Sequence, residues 1–244
     1  MRYAIISDVH SNLEALRAVM ALIDGLKADR IICLGDAVGY NADPNECVDI
    51  LRARGIRCVM GNHDERAAGL AEPDDFNLFA EEAIRWTRAR LTDENKAFLA
   101  GLPRKLVADK RFLAFHGWVD DTDRYIMGGK DALGNFALMK EEAGVRLGFF
   151  GHTHIPIAYI DKNEEILMNL DNEIQIEKDA YYLINPGSVG QPRNHDPRAS
   201  FVVYDSRRSE AVYQRAEYDV AGAARKILDA GLPERLAERL KLGW

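Results

Sequence analysis

Short apolar runs rich in β-branched residues recur along the first 150 positions, at residues 3–6, 30–34, 56–60, 112–115 and 146–150, and each has the length and composition of a buried strand. Between the first three lie stretches of helical period. One covers residues 12–27, with Leu13, Leu16, Val19, Met20 and Ile23 on a single face, and the other covers 44–54, where Asp43 stands as the N-cap and Pro44 takes the first helical position. Strand, helix, strand, helix, strand implies right-handed crossovers and parallel pairing. From 73 to 102 the pattern is helical throughout, with Ala80, Ala83, Ile84, Thr87 and Leu91 at helix spacing and Thr92 capping a further short helix. That stretch reads as a cap-like insertion. Strands return after Pro103, a helix covers 131–142, and short runs come next at 158–161, 166–170, 181–184, 200–204 and 211–215, whose close turns suggest antiparallel pairing. The C-terminal segment, 220–244, is helical and broken near Gly231 and Pro233; it turns Leu236, Leu240 and Leu242 toward a core or a partner, so a homo-oligomer stays open. No internal repeat interrupts what reads as one α/β domain over 1–244.

Composition narrows the class. A chain of 244 residues that is 47% hydrophobic can bury a sizeable single core. The start of the sequence has no secretory pattern and no run approaches spanning length, so a soluble, cytoplasmic protein without a membrane partner is expected. The three cysteines, Cys33, Cys47 and Cys58, lack C-x-x-C spacing and read as small core residues. A net charge of -7 disfavours a nucleic-acid polymer, which is held by clustered Lys and Arg. A small anionic substrate fits better, with divalent cations supplying the positive charge that side chains do not.

The residues just past each strand carry the chemistry. After Ile6 come Ser7, Asp8, Val9 and His10; after Leu34, Gly35 and Asp36; after Met60, Gly61, Asn62, His63 and Asp64; after Phe115, His116; after Phe150, Gly151, His152, Thr153 and His154. Five of the six histidines stand at these strand ends, where α/β sheets bind ligands. A pair of divalent cations about 3.5–4 Å apart needs a bridging carboxylate, roughly three further protein ligands each, and open positions for water and substrate. Imidazole, carboxylate and amide oxygen suit zinc, iron, manganese, cobalt or nickel, and the absence of cysteine ligands argues against a closed structural zinc site. Glycines beside the ligands, Gly35, Gly61, Gly117 and Gly151, let the backbone approach closely.

The set D-x-H at 8–10, G-D at 35–36, G-N-H-D at 61–64, a lone His116 and G-H-T-H at 151–154 resembles the calcineurin-like metallophosphoesterase superfamily, and N-P-G-S-V-G at 185–190 resembles a feature of its small bacterial and archaeal phosphodiesterase branch. The resemblance implies a four-layer α/β/β/α sandwich of two packed mixed sheets flanked by helices. It also implies two divalent metal ions. Asp8, His10, Asp36 and His154 would hold the first, while Asp36, Asn62, His116 and His152 would hold the second, with Asp36 bridging. His63, together with Asn62, would face the substrate phosphate, and Asp64 would fix the tautomer of His63 and raise its basicity. The implied reaction is in-line attack of a metal-bridging hydroxide on the phosphorus of a small phosphodiester or phosphomonoester, with His63 assisting the leaving oxygen. The chain departs from the phosphoprotein phosphatases in one place: Asp36 is followed by Ala37, Val38, Gly39 and Tyr40, not by a second acid and an arginine.

Other features read more plainly. His195, in a loop with Arg193, Asn194 and Asp196, is a surface residue first and a substrate contact second; Asn12 contacts the site, caps the first helix or braces the Asp8 loop. Gly128, Gly129 and Lys130 lack the rest of a phosphate loop and suit a turn before a helix. Tyr181, Tyr182 and Tyr204 suit a core, since no basic groove accompanies them. Two rival functions are a non-catalytic metal-binding scaffold, which should have lost motif residues, and a nuclease, which should carry basic patches.

Overall fold

In the computed structural model, which describes residues 1–142, 144–163 and 165–244, alternation along the first strand sets the order of the layers. Strand β1 (Arg2–Ile6) turns Tyr3 and Ile5 to one face and Ala4 and Ile6 to the other, and all four are fully buried. A strand that is apolar on both faces must be covered on both. Tyr3 and Ile5 meet Ile32, Phe112, Phe149 and Tyr182 in a core between two sheets, where Phe112 sits edge-on to Tyr3 at 5.1 Å. Ala4 and Ile6 pack under helices α1 (Leu13–Leu26) and α2 (Pro44–Ala53), against Leu16, Val19, Val48 and Leu51.

The first sheet orders β3 (Arg57–Cys58), β2 (Arg30–Cys33), β1, β11 (Ala199–Asp205), β12 (Glu210–Ala216) and β9 (Glu173–Gln175). Its first three strands are parallel through the α1 and α2 crossovers, as the pattern predicts, and the rest are antiparallel. The second sheet orders β4 (Lys105–Ala108), β5 (Phe112–Phe115), β6 (Leu147–Phe149), β10 (Tyr181–Asn185), β7 (Ile157–Lys162) and β8 (Glu165–Asn169). Helix α6 (Gly129–Glu142) covers its outer face with Phe136 and Met139 against Phe115, Phe150 and Leu183. The architecture is therefore the α/β/β/α sandwich.

Several local expectations change. The run at 56–60 keeps only two strand residues, because Met60 leaves the ladder and donates its N–H to the Pro103 carbonyl at 2.8 Å. Pairing in the second half is not purely antiparallel, since β10 lies parallel to β6. Asp43 makes no side-chain cap; its carboxylate accepts from Lys226 at 2.8 Å. Lys130 lies within α6, one residue beyond its start at Gly129. Of the stretch 73–102, helices α4 (Leu78–Arg90) and α5 (Asp93–Ala100) are formed, with Asn77 capping the first and Thr92 the second. Helices α7 (Val220–Asp229) and α8 (Glu234–Leu242) pack Ile227, Leu236 and Leu240 on Tyr40 and on Ala80 and Ala83 of α4, while Leu242 stays exposed. Cys33, Cys47 and Cys58 are free and buried, and Tyr182 and Tyr204 are core residues. Among the described residues no helix is long and apolar enough to cross a membrane.

Candidate metal centre

The carboxyl ends of β1, β2 and β3 in one sheet and of β5 and β6 in the other open onto a single region, and all seven expected ligands lie there, buried. Asn62 is the first residue of a short helix, α3 (Asn62–Ala67), that the sequence pattern does not reveal. Backbone strain gathers at the same place. Asp8, His10, Asp36, His152 and His154 hold φ of 54, 48, 53, 68 and 62°, a left-handed conformation that costs a non-glycine residue of order 1–3 kcal/mol. Such turns persist only when the surroundings over-determine them. Here the N-P-G-S-V-G segment does so: Ser188 Oγ donates to the Asp8 carbonyl at 2.8 Å, and Asn185 Nδ2 donates to the Gly151 carbonyl at 2.7 Å and to Thr153 Oγ1 at 3.0 Å. Two glycines allow the approach: a Cβ at Gly61 would collide with Asp36, and one at Gly151 would lie 2.9 Å from Asp8 Oδ2.

Tautomers are set by the hydrogen bonds. A carbonyl oxygen can only accept, so His10 Nδ1, 3.0 Å from the Val38 carbonyl, and His154 Nδ1, 2.6 Å from the Gln191 carbonyl, both carry the proton. Burial holds both rings well below the ordinary histidine range, hence neutral. Their Nε2 lone pairs therefore face each other at 3.1 Å with no proton between them. Asp8 Oδ1 is 3.3 Å from His154 Nε2, and Asp36 Oδ2 is 3.6 Å from His10 Nε2. Four electron-rich atoms converging in a buried space repel one another unless a cation lies among them.

The second set repeats the logic. His116 Nδ1 donates to the Leu34 carbonyl at 2.8 Å and points Nε2 at Asp36 Oδ2, 3.2 Å away, so one carboxylate oxygen faces nitrogens of both sets. His152 donates Nε2–H to the Asp123 carbonyl at 3.0 Å, which leaves the Nδ1 lone pair free. Asn62 donates Nδ2 to Asp123 Oδ1 at 3.0 Å, and its Oδ1 is buried without a hydrogen-bond partner. Burial pushes His152 down to about 3, helped by the charge on His116. For His116 burial works the same way but is outweighed by the Asp36 carboxylate, which holds the ring at about 9. Atoms of Asp8, His10 and His154, and of Asp36, His116 and His152, fall within 4.8 Å of one another, and so do those of His10, Asp36 and His63. This donor set fits cations of the zinc, iron or manganese type.

His63 is buried among the rings of His10, Tyr40 and Phe76, at 4.8, 4.5 and 4.8 Å, and burial lowers it to about 4. Its Nδ1 has no hydrogen-bond partner. Asp64 does not fix its tautomer, contrary to expectation. The Asp64 carboxylate instead accepts N–H bonds from Gly61 at 3.1 Å and Val38 at 3.3 Å, tying the Asn62 turn to the loop after Asp36, and burial raises it to about 7. Asn12 is also committed elsewhere: Oδ1 caps α1 at Ala15 N and Nδ2 donates to the Gly190 carbonyl. His195 is exposed and contributes its backbone, donating N–H to the Gly243 carbonyl at 2.7 Å. Arg193 does reach the site, through Tyr40. Sequence reasoning missed Asp123, which orients both Asn62 and His152, and Arg66, which pairs with Asp123 at 3.1 Å and with Asp75 at 2.6 Å. It also missed Tyr40, Phe76 and Tyr125, walls of a cleft of ≈ 190 Å³ that opens at Asn62, His63 and His152. No motif marks them; for Asp123 and Tyr125 the signal is an acid- and aromatic-containing stretch, 120–125, between β5 and α6.

Comparison with known proteins agrees with this geometry. A family model, the calcineurin-like phosphoesterase superfamily domain, matches residues 1–209. An uncharacterized protein of Methanocaldococcus jannaschii is 38% identical over 250 residues, covering 98% of this chain and 97% of its own. Among solved structures, a metallophosphoesterase from Sphaerobacter thermophilus is 36% identical with a TM-score of 0.86, covering 100% of this chain and 99% of its own. A hypothetical protein from Pyrococcus horikoshii, 18% identical with a TM-score of 0.82 over 100% of this chain and 98% of its own, shares the fold.

Proposed function

This chain belongs to the calcineurin-like phosphoesterase superfamily, and we propose that it is a dinuclear metal-dependent phosphoesterase acting on small phosphodiesters or phosphomonoesters. The observation that carries the reading is the pair of opposed lone pairs on His10 and His154, joined through Asp36 to a second set of donors at His116, His152 and Asn62. Two divalent cations bound there would neutralise phosphoryl oxygens and ionise water near neutral pH. Asp8, His10, Asp36 and His154 would hold one, and Asp36, Asn62, His116 and His152 the other.

The chain's own residues do the rest. Asp123 and Arg66 hold Asn62 and His152 in orientation from outside the site. His63 lines the cleft beside Asn62, placed to donate a hydrogen bond to a phosphate oxygen or to return a proton to the leaving oxygen. Residues Phe76, Asn77 and Ala80, at the start of the helical stretch 73–102, form one wall of the cleft, so this segment acts as a cap that selects substrates. All motif positions are filled, which speaks against a scaffold that has lost turnover.

The test is a panel on metal-reconstituted protein: aryl phosphodiester, aryl phosphomonoester, cyclic nucleotide and dinucleoside polyphosphate, each with manganese, nickel, iron and zinc. Metal-dependent turnover of at least one ester is expected. Stoichiometric metal without turnover of any would leave the scaffold reading standing.

A further inference from the structure

Beside the proposed centre lies positive charge that, among the described residues, no carboxylate neutralises by direct contact. Arg193, in the loop after the N-P-G-S-V-G segment, donates Nη2 to Gln191 Oε1 at 3.1 Å and to the Tyr40 hydroxyl at 3.4 Å, and it also hydrogen-bonds Tyr125. Among the described residues it forms no ion pair, and its Nε is buried without a partner. Gln191 is 1% exposed, and its Nε2 is likewise buried without a partner. Two donors thus lack an acceptor at one place. The place adjoins the centre: the Tyr40 ring lies 4.5 Å from those of His10 and His63, and the Arg193 charge acts on both His63 and His154.

A second guanidinium, on the C-terminal helix that packs on Tyr40, acts electrostatically on the same residues. Arg239 of α8 donates Nε to the Trp244 carbonyl at 2.7 Å and forms no ion pair among the described residues. Burial and the charge of Arg193 both work against its own charge, and its remaining neighbours include Tyr40 and Tyr125. Two like charges acting on each other, one of them with a buried nitrogen that lacks an acceptor, describe a site for an anion of more than one charge. Arginines away from the site look different: Arg54 and Arg198 each bind a carboxylate through two nitrogens.

We infer that Arg193, Gln191 and Arg239 receive a second phosphoryl group, so that the substrate is a small molecule carrying a diphosphate or longer phosphate chain. This rests on the phosphoesterase reading and names the substrate class of that site. In the hydrolysis, the oxygen of water bonds to the phosphorus at the proposed centre, and the bridging P–O bond breaks with its electron pair on the departing oxygen. The second phosphate departs beside Arg193 and Gln191, and the protons of water end on the two products or in solvent.

The experiment compares AMP with ADP, which differ by one phosphoryl group, on the full-length, metal-reconstituted protein. Calorimetry should show ADP binding about 10- to 100-fold more tightly, the worth of one or two charge-assisted hydrogen bonds. In Arg193→Gln and in Arg239→Gln that ratio should fall by about tenfold or more, with Arg239→Lys recovering part of it. In turnover, the kcat/KM ratio of a dinucleoside polyphosphate to an aryl phosphodiester should fall in the same variants. Equal affinity for AMP and ADP in the native protein overturns the inference, and so does an Arg193→Gln variant that loses both substrates equally, which would place the guanidinium on the scissile phosphate. Should the native protein hydrolyse nothing, the phosphoesterase reading fails, while the AMP and ADP affinities still decide the pocket. Near-UV circular dichroism of each variant separates a lost contact from a lost fold.

Discussion

Replacing His63 with Gln separates chemistry from metal binding. His63 touches three rings, is buried, and carries one unpartnered ring nitrogen, while its backbone N–H donates to Asp36 Oδ1 at 2.9 Å. Glutamine keeps that backbone bond and much of the volume but cannot shuttle a proton. Loss of acid or base assistance typically costs about 10²–10⁴-fold in rate, which converts at 1.36 kcal/mol per decade to about 2.7–5.4 kcal/mol of transition-state stabilisation. The defect should be largest for alkyl esters, whose leaving oxygen needs a proton, and smallest for nitrophenyl esters, whose leaving group departs as an anion. The assay is kcat on both ester types with metal content measured on the same samples. His63 also lies within coordinating reach of His10 and Asp36, so the alternative is concrete. If His63→Gln loses one metal equivalent, His63 is a ligand; if it keeps both metals and full activity on alkyl esters, it has no catalytic role.

The same geometry sets three further outcomes. Asp36→Asn should lose more metal than Asn62→Ala, because Asp36 Oδ2 faces both donor sets and Asn62 only one; elemental analysis showing equal occupancy would remove Asp36 from the bridge. Burial lowers His116 but Asp36 outweighs it and holds the ring at about 9, so at pH 7 a metal must displace its proton and apparent metal affinity should rise about tenfold from pH 7 to 8. In chelated protein the same group contributes stability that is full below about pH 6.5 and is lost as pH rises through about 9; a pH-independent metal Kd would contradict this assignment. Asn185→Ala removes two donated bonds and the acceptor for Gly187 N at 2.8 Å, all buried, and should cost about 2–4 kcal/mol in urea unfolding, with a loss under about 1 kcal/mol counting against the brace.

The residues that converge at the candidate centre were legible because they obey a local rule. Each comes after an apolar strand, and strands that alternate or run apolar announce themselves in sequence. The two-sheet architecture was legible only through the motif resemblance, since short apolar runs do not declare their partners. The parallel pairing of β10 with β6 illustrates this: nothing local to residues 181–185 distinguishes it from a hairpin strand. Asp64 marks a different limit. Its place after His63 suggested a hydrogen-bonded pair, but Asn62 begins a helix, and the third residue of a helix turns its carboxylate back to the Gly61 N–H. Asp123, Tyr40 and Phe76 were invisible for a simpler reason. They meet the site from a loop, from beyond the Asp36 turn and from the segment before α4, and only tertiary packing joins them.

The proposed chemistry stands or falls on two cations sharing Asp36. Elemental analysis of metal-reconstituted protein, paired with a hydrolysis assay before and after exhaustive chelation, decides the point. Two divalent ions per chain are expected, with loss of turnover on chelation and recovery on adding metal back. A single ion per chain at saturation, or hydrolysis undiminished in fully chelated protein, would contradict a shared pair.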